Sequence, residues 1–175
     1  AICGIDYIVN VVLDDHKQVI HAVAGDAAMA HREGCAFLDR LYQRQITKRA
    51  DIVVASQGGA PKDLNLYQTQ KALDNAKQAV RKGGIIVLVG SCKEGLGERT
   101  FEEWMLRAEK PEDLVQWIQQ NFKLGGHKAA AIAMVLRDAD IYLVSDLEPE
   151  MVERLFMRPF STVQAAVNAA VDKLG

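Results

Sequence analysis

The sequence lacks the patterns that would assign it to a membrane or nucleic-acid-binding class. Its apolar runs all fall short of the roughly 20 residues that a membrane-spanning helix needs, so we expect no membrane partner. Lys and Arg alternate with Asp and Glu at a formal net charge of −2. Because no basic stripe is present, we expect no nucleic-acid partner. The three cysteines, Cys3, Cys35 and Cys92, show no CxxC spacing, which favours reduced thiols and a cytoplasmic protein.

Two familiar ligand-binding signatures are missing as well. The loop Ser56-Gln57-Gly58-Gly59-Ala60-Pro61 has adjacent glycines without a third, and no GK[ST] follows it. It therefore matches neither the dinucleotide fingerprint nor the phosphate-binding P-loop, which disfavours a dehydrogenase-type domain. The four histidines, His16, His21, His31 and His127, do not have the spacing of metal ligands, so we expect no metal site within this chain.

The composition is that of a globular protein with a hydrophobic core. Hydrophobic residues make up 49% and charged residues 25% of the 175 residues, which suffices for one ordinary domain or one and a half small ones. The sequence does not begin with Met and passes at once into an apolar segment. We therefore expect it to start partway into a longer protein.

The order of predicted elements indicates an α/β fold. Residues 1–47 contain a β-hairpin (7–24) and a long linking helix (26–43) with Asp26 as N-cap, too little to enclose a core. Residues 50–157 alternate strands and helices and predict a layered α/β domain with a mostly parallel sheet. We interpret residues 1–47 as the end of an N-terminal domain, and 158–175 as a terminal helix that returns toward it.

Glycine, proline and helix-capping residues predict where the strands and helices of the larger domain begin and end. We expect strands at 52–55, 85–89 and 141–144, a helix over about 67–81, and Gly83-Gly84 as its C-cap. Thr100 with Glu103 predicts a capping box, as does Ser161 with Gln164 for the last helix. Pro111 and Pro149 fit the first turns of two further helices, and a helix is expected from His127 to about Arg137.

The segment from Asp51 to Lys71 is the most suggestive of a ligand site. A strand, a glycine loop with Ser56, Gly58 and Gly59, and a helix N-terminus can direct backbone N–H groups at an anion. On that helix Lys71 follows Gln68 by three residues and Tyr67 by four, a spacing that suits a carboxylate or phosphate receptor. The alternative is that Tyr67 packs on the sheet while Gln68 and Lys71 are solvated.

A second loop, residues 91–98, is expected at the same edge of the sheet. Its Cys92 could be a nucleophile, but no histidine partner can be identified, which favours a thiol that only packs. His127 and Lys128, after a glycine pair, could contact an anion or could simply begin a helix.

Three segments together resemble a known family. They are NVVLDDHKQVIHAVAGDAAMAHREGC, ADIVVASQGGAPKDLNLYQTQKAL and GGIIVLVGSCKEGLGERTFEEW. They are similar to the C-terminal part of the nickel-pincer lactate racemase family, whose members racemise or epimerise 2-hydroxy acids. The pattern S-x-GG-x-P-x-D-x-N-x-Y-Q, residues 56–68, is the most specific part of the resemblance.

The resemblance implies a hydride-transfer enzyme with an active site between two domains. In that family, a nickel-pincer nucleotide takes the C2 hydride of a small 2-hydroxy acid and returns it to either face of the 2-keto acid. The family's Tyr-Gln-x-x-Lys falls on Tyr67, Gln68 and Lys71, which would help to hold substrate or cofactor. The catalytic histidines, the nickel ligand and the tethering lysine belong to the family's N-terminal domain, so we expect no catalytic residue, nickel or cofactor on this chain alone.

Two further expectations accompany this interpretation. The alternative function is a non-catalytic α/β module that binds a small anion or another protein. In addition, apolar faces in residues 1–47, if left without their partner domain, would favour a homo-oligomer.

Overall fold

The computed structural model describes residues 4–175 and separates into two compact units. The smaller unit extends to Ile46, and the larger runs from Thr47 to Gly175. Cys3 and the first residues of the predicted N-terminal unit lie outside the described residues. None of the helices in residues 4–175 is both long and apolar enough to cross a membrane.

The smaller unit is a β-hairpin followed by one long helix. Strand β1 (Ile8–Leu13) pairs antiparallel with β2 (Val19–Gly25), and helix α1 spans Ala27–Tyr42. Asp26 caps α1, because its Oδ1 accepts hydrogen bonds from the amides of Ala28 and Met29 at 3.0 and 2.9 Å. The predicted hairpin, helix and N-cap are all confirmed.

This unit buries few side chains. Among its described residues only Val23 and Ala30 are buried hydrophobics, whereas Val9 is 73% exposed and Tyr7 and Met29 are also open. β-branched and aromatic residues therefore form its strands without closing a core. That it is the end of a preceding domain remains a prediction.

The larger unit contains a four-stranded parallel sheet. Its strands are β3 (Ala50–Ser56), β4 (Val80–Val89), β5 (Ala139–Val144) and β6 (Arg158–Phe160), in that spatial order. Every neighbouring pair is parallel, which confirms the predicted fold class. Strand β6 was not expected, since three residues that include a proline give no strand pattern.

Seven helices complete the larger unit. They are α2 (Leu66–Thr69), α3 (Lys71–Ala79), α4 (Arg99–Arg107), α5 (Pro111–Gln120), α6 (Gly126–Leu136), α7 (Pro149–Arg154) and α8 (Val163–Leu174). Pro111 and Pro149 do begin their helices, as predicted.

The sheet separates two apolar clusters. Ile86 and Leu88 of β4 belong to the main core, which includes residues of α2 to α6. Ile85 and Val87 point the other way and pack with Ala166 and Ala170 of α8. This alternation follows from the two-residue period of a strand and gives a three-layered unit. The return of the terminal helix toward the smaller unit remains a prediction.

The role predicted for the glycine pair is wrong. The helix ends at Ala79, and β4 already begins at Val80, so that Gly83 and Gly84 lie inside a strand. A Cβ atom at Gly84 would lie 2.7 Å from the carbonyl oxygen of Asp51. Gly84 therefore permits close approach of β3 and β4, while Gly83 has a positive φ of 73°; sequence alone does not distinguish these uses from a helix cap.

Two predicted N-caps are also wrong. Glu98 caps α4, accepting from the amide of Phe101 at 2.8 Å, while Thr100 already lies in the first turn. Thr162 caps α8, with its Oγ1 accepting from the amide of Ala165 at 3.1 Å, in place of Ser161. At both helix starts a neighbouring residue also has a side chain that could cap the helix. The course of the backbone decides which of the two accepts the hydrogen bond.

Candidate functional site

The carboxyl ends of β3 and β4 place two loops at one edge of the sheet. Ser56 pairs with Val89 in register, so that the loops after the two strands start side by side. The loops are also joined by backbone hydrogen bonds, from the amide of Leu66 to the carbonyl of Gly95 and from Tyr67 to Leu96. The expectation that both loops share one edge is confirmed.

Asp63, a buried residue of the first loop, is hydrogen-bonded to the second loop. Its side chain is buried, and its Oδ2 accepts from the amide of Ser91 at 3.0 Å. Its carbonyl oxygen accepts from the amide of Cys92 at 2.8 Å and from the Ser91 hydroxyl at 3.1 Å. Sequence reasoning did not select Asp63, although it is the aspartate of the 56–68 pattern.

Backbone N–H groups at the start of α2 are not available to an anion. Those of Leu66 and Tyr67 are bonded to the second loop, and that of Gln68 donates to Asn65 Oδ1 at 3.1 Å. Helix α2 has only four residues before Gln70 separates it from α3. These amides at the start of α2 are therefore bonded within the protein, so that an anion there would be bound through side chains.

Of the three predicted side chains at this helix start, two are joined to each other and the third packs separately. Lys71 Nζ donates to Gln68 Oε1 at 2.6 Å. The ring of Tyr67 packs edge-on against Phe101, at 5.6 Å between centroids. Tyr67 is thus half-buried by packing, as the alternative interpretation expected, yet Gln68 and Lys71 are paired with each other beside it. The binding role of the three residues remains a prediction.

Lys128 joins this cluster from the first turn of α6. Its Nζ donates to the carbonyl oxygen of Tyr67 at 2.9 Å and lies 4.2 Å from the centroid of the Tyr67 ring. Burial lowers the pKa of Lys128, and the positive charge of Lys71 lowers it further, while Asp74 acts in the opposite direction. The positive charge of Lys71 is therefore felt at Lys128, and an anion within reach of both side chains would offset it.

The glycine loop forms a turn of its own. Ser56 Oγ accepts from the amide of Gly58 at 3.1 Å. Gly58 and Gly59 have φ of +98° and +73°, which favours glycine at both positions. Within residues 4–175 no hydrogen bond joins this turn to Tyr67, Gln68 or Lys71. Ser56, Gly58 and Gly59 share the sheet edge with the cluster without belonging to it.

Cys92 is a packing thiol. It is 1% exposed, and its Sγ donates to Thr69 Oγ1 at 3.5 Å. Burial raises the pKa of Cys92 to about 11, so the thiol stays protonated at neutral pH. His127 is likewise a helix-start residue, since its Nδ1 accepts from the amide of Gly125 at 3.2 Å. Across the described part of the chain, no group of three His, Cys, Asp or Glu side chains is placed to hold a metal.

Fold and site together define a class of protein, an α/β domain that presents cationic and aromatic side chains at the carboxyl edge of a parallel sheet. The chain belongs to the lactate racemase C-terminal domain family, whose model matches residues 45–175. This confirms the resemblance stated from the sequence.

Curated relatives extend the similarity across the whole chain. The lactate racemase of Thermoanaerobacterium thermosaccharolyticum is 30% identical over 169 residues, which are 94% of this chain and 39% of that protein. The lactate racemase of Lactiplantibacillus plantarum is 29% identical over 97% of this chain and 41% of that protein. The chain therefore spans about two fifths of the length of these relatives.

Solved structures agree with this assignment. The lactate racemase apoprotein from Thermoanaerobacterium thermosaccharolyticum superposes with a TM-score of 0.86 at 30% identity, covering 95% of this chain and 41% of that one. A protein from Thermotoga maritima superposes with a TM-score of 0.63 at 13% identity, covering 89% of this chain and 42% of that one. The second similarity shows the fold alone.

Proposed function

We propose that this chain is the anion-binding C-terminal part of a racemase or epimerase of small 2-hydroxy acids. Membership of the lactate racemase C-terminal domain family supports the reaction class. The observation that carries the proposal is Lys128, which lies over the ring of Tyr67 and is affected by the positive charge of Lys71. Two positive charges that act on one another favour an anion between them, and 2-hydroxy acids carry a carboxylate at neutral pH.

Each residue of the cluster has a binding role in this proposal. Lys71 donates to the carboxylate of the substrate or to a phosphate of the cofactor, while Gln68 orients its ammonium group. Phe101 and Lys128 hold the ring of Tyr67, so its hydroxyl occupies a defined position. Holding the hydroxy acid in one orientation allows hydride transfer at a single carbon. Misplacement of the reacting atoms would lower the rate steeply.

The cofactor implied by the family fits these residues only in part. A nickel-pincer nucleotide would, when bound, supply the hydride acceptor. Lys71 and Lys128 suit its anionic phosphate, but the described residues offer no cluster suited to its metal. We therefore assign the nickel ligand, the tethering lysine and the general-base histidines to an N-terminal domain as partner. On this proposal the present chain alone neither binds nickel nor racemises a hydroxy acid.

A matched pair of lysine variants tests the binding role. In the full-length protein that carries this chain, Lys71→Ala should lower kcat/KM for lactate racemisation about tenfold or more, because a charge-assisted hydrogen bond to the substrate is lost. Lys77→Ala, on the same helix but ion-paired with Asp74, should leave kcat/KM nearly unchanged. Equal effects of the two changes would contradict the assigned role of Lys71.

A second experiment tests whether nickel binding and activity both require the N-terminal domain. The 175-residue chain is purified alone and with the N-terminal domain co-expressed, and nickel content and lactate racemisation are measured in both preparations. We expect nickel and activity only when both parts are present. Stoichiometric nickel on the chain alone would contradict the proposal, and activity in neither preparation would favour a non-catalytic anion-binding module.

A further inference from the structure

A second cleft lies at the amino edge of the sheet, opposite the loops described above. It has a volume of about 410 Å³ and is bounded by Arg49 just before β3, by the first residues of β4 and β5, and by the ends of α3 and α6. Five cationic side chains and one carboxylate contribute to its lining: Arg49, Lys77, Arg81, Lys82, Arg137 and Asp138. The chain as a whole has a net charge of −2, so the positive charge of this cleft does not follow from a basic overall composition.

Three of the five cations have a structural explanation. Arg81 is ion-paired with Asp51, Lys77 with Asp74 at 2.9 Å, and Arg137 with Asp138 at 3.2 Å. Lys77 and Arg137 also lie at the carboxyl ends of α3 and α6, where the helix dipole favours a positive charge. These residues would be expected there in the absence of any ligand.

Arg49 and Lys82 are not explained by ion pairing. Both are exposed; Arg49 directly precedes β3, and Lys82 lies in β4 shortly after the end of α3. Within residues 4–175, neither forms an ion pair. Arg81 Nη1 also donates to the carbonyl oxygen of Lys82 at 3.0 Å, which fixes the backbone that carries the Lys82 side chain. The cleft therefore holds two uncompensated cations on an ordered backbone.

We propose that this cleft binds a small phosphate-bearing anion through Arg49 and Lys82. Phosphate oxygens accept several charge-assisted hydrogen bonds at once, and guanidinium groups match their geometry. The volume is within the range of small-molecule sites. Met134, 47% exposed, and Val80 provide an apolar wall for the organic part of such a ligand. This site is independent of the proposed racemase function.

The test uses the purified 175-residue chain and two probes. Inorganic pyrophosphate offers phosphate alone, whereas ADP adds an organic body that can lie against Met134. Binding is followed by calorimetry and by chemical shifts of the residues lining the cleft, at low and high salt. Arg49→Gln and Lys82→Gln should each weaken binding about threefold to fivefold, in line with single exposed ion pairs, and more in combination.

Lys93→Gln supplies the matched control, since Lys93 is an exposed lysine on the loop at the opposite edge. It should bind both probes as the unmodified chain does, and circular dichroism should show that all variants are folded. Tighter binding of ADP indicates an organic phosphate, and tighter binding of pyrophosphate an inorganic one; either supports the proposal. Absent binding, an equal effect of Lys93→Gln, or tighter binding of an oligonucleotide than of both probes would overturn it.

Discussion

Residues of the same type differ in burial and chemistry in this protein because their surroundings differ. Lys71 is exposed and bonded to Gln68, whereas Lys128 is half-buried against Tyr67, where burial and a like charge lower the pKa of Lys128. Cys92 is enclosed by the core while Cys35 is exposed. The sequence shows the residue types, and the depth of burial decides their chemistry.

Lys128 should contribute to anion binding beside Lys71. In the full-length protein we expect Lys128→Gln to lower kcat/KM for lactate about tenfold, because one of two ammonium groups is lost, and Lys128→Arg to retain more activity. Lys123→Gln, in the adjoining loop, serves as the control in the same steady-state assay. If Lys128→Gln resembles Lys123→Gln, then Lys128 has no part in binding.

Cys92 should make stability depend on alkaline pH. Its pKa is raised by burial from 9.0 to about 11 in the folded state. A raised pKa stabilises the folded protein fully below the unfolded value, and this contribution is lost as the pH rises through the folded one. The free energy of unfolding, measured in urea, should therefore fall between pH 9 and 11, and fall less in Cys92→Ala. Parallel pH profiles of the two proteins would contradict this.

Elements formed where the sequence pattern was unambiguous, and their ends were decided by packing. The β-branched runs of β3, β4 and β5 formed strands as expected. Strand β4 began several residues earlier, and within it Gly84 admits the backbone of β3. Helix α2–α3 began where expected, but its first amides are bonded to the neighbouring loop. Local propensity does not encode such long-range hydrogen bonds.

The N-cap of α8 offers a test at the scale of a single element. Thr162 Oγ1 accepts from the amide of Ala165, and the neighbouring Ser161 makes no such bond to α8. Thr162→Ala should lower the free energy of unfolding by about 1 kcal/mol, a typical cost of losing an N-cap. Ser161→Ala, measured in the same urea titration, should change it by a few tenths of a kcal/mol at most. The reverse ranking would show that Ser161 is the cap.

At the scale of the whole molecule, the two units differ in how much they bury. The larger unit has a continuous core on one face of its sheet and a smaller cluster on the other. The described part of the smaller unit leaves Tyr7, Val9 and Met29 largely exposed. Such surface is typical of a face that another protein region covers, and self-association through it remains a prediction.

Hydrogen exchange should separate the two units. Amides of β1, β2 and α1 should exchange at least about tenfold faster than those of β4 and β5, because few buried contacts oppose local opening. Mass spectrometry of peptic fragments of the chain alone provides the measurement, and β4 is the internal control. Equal protection in the two units would show that the smaller unit is stabilised by contacts beyond its own core.

The sequence by itself determined the parallel α/β architecture, the hairpin with its Asp26-capped helix and the family. Those features depend on local periodicity, caps and a contiguous pattern of residues. Only the tertiary structure revealed that Asp63 joins the two loops, that backbone amides at Leu66 and Tyr67 are already bonded, and that Lys128 lies over Tyr67, 61 residues away in sequence. The physical reason is that burial, ion pairing and hydrogen bonding at the sheet edge depend on residues far apart along the chain, whose proximity no local pattern specifies.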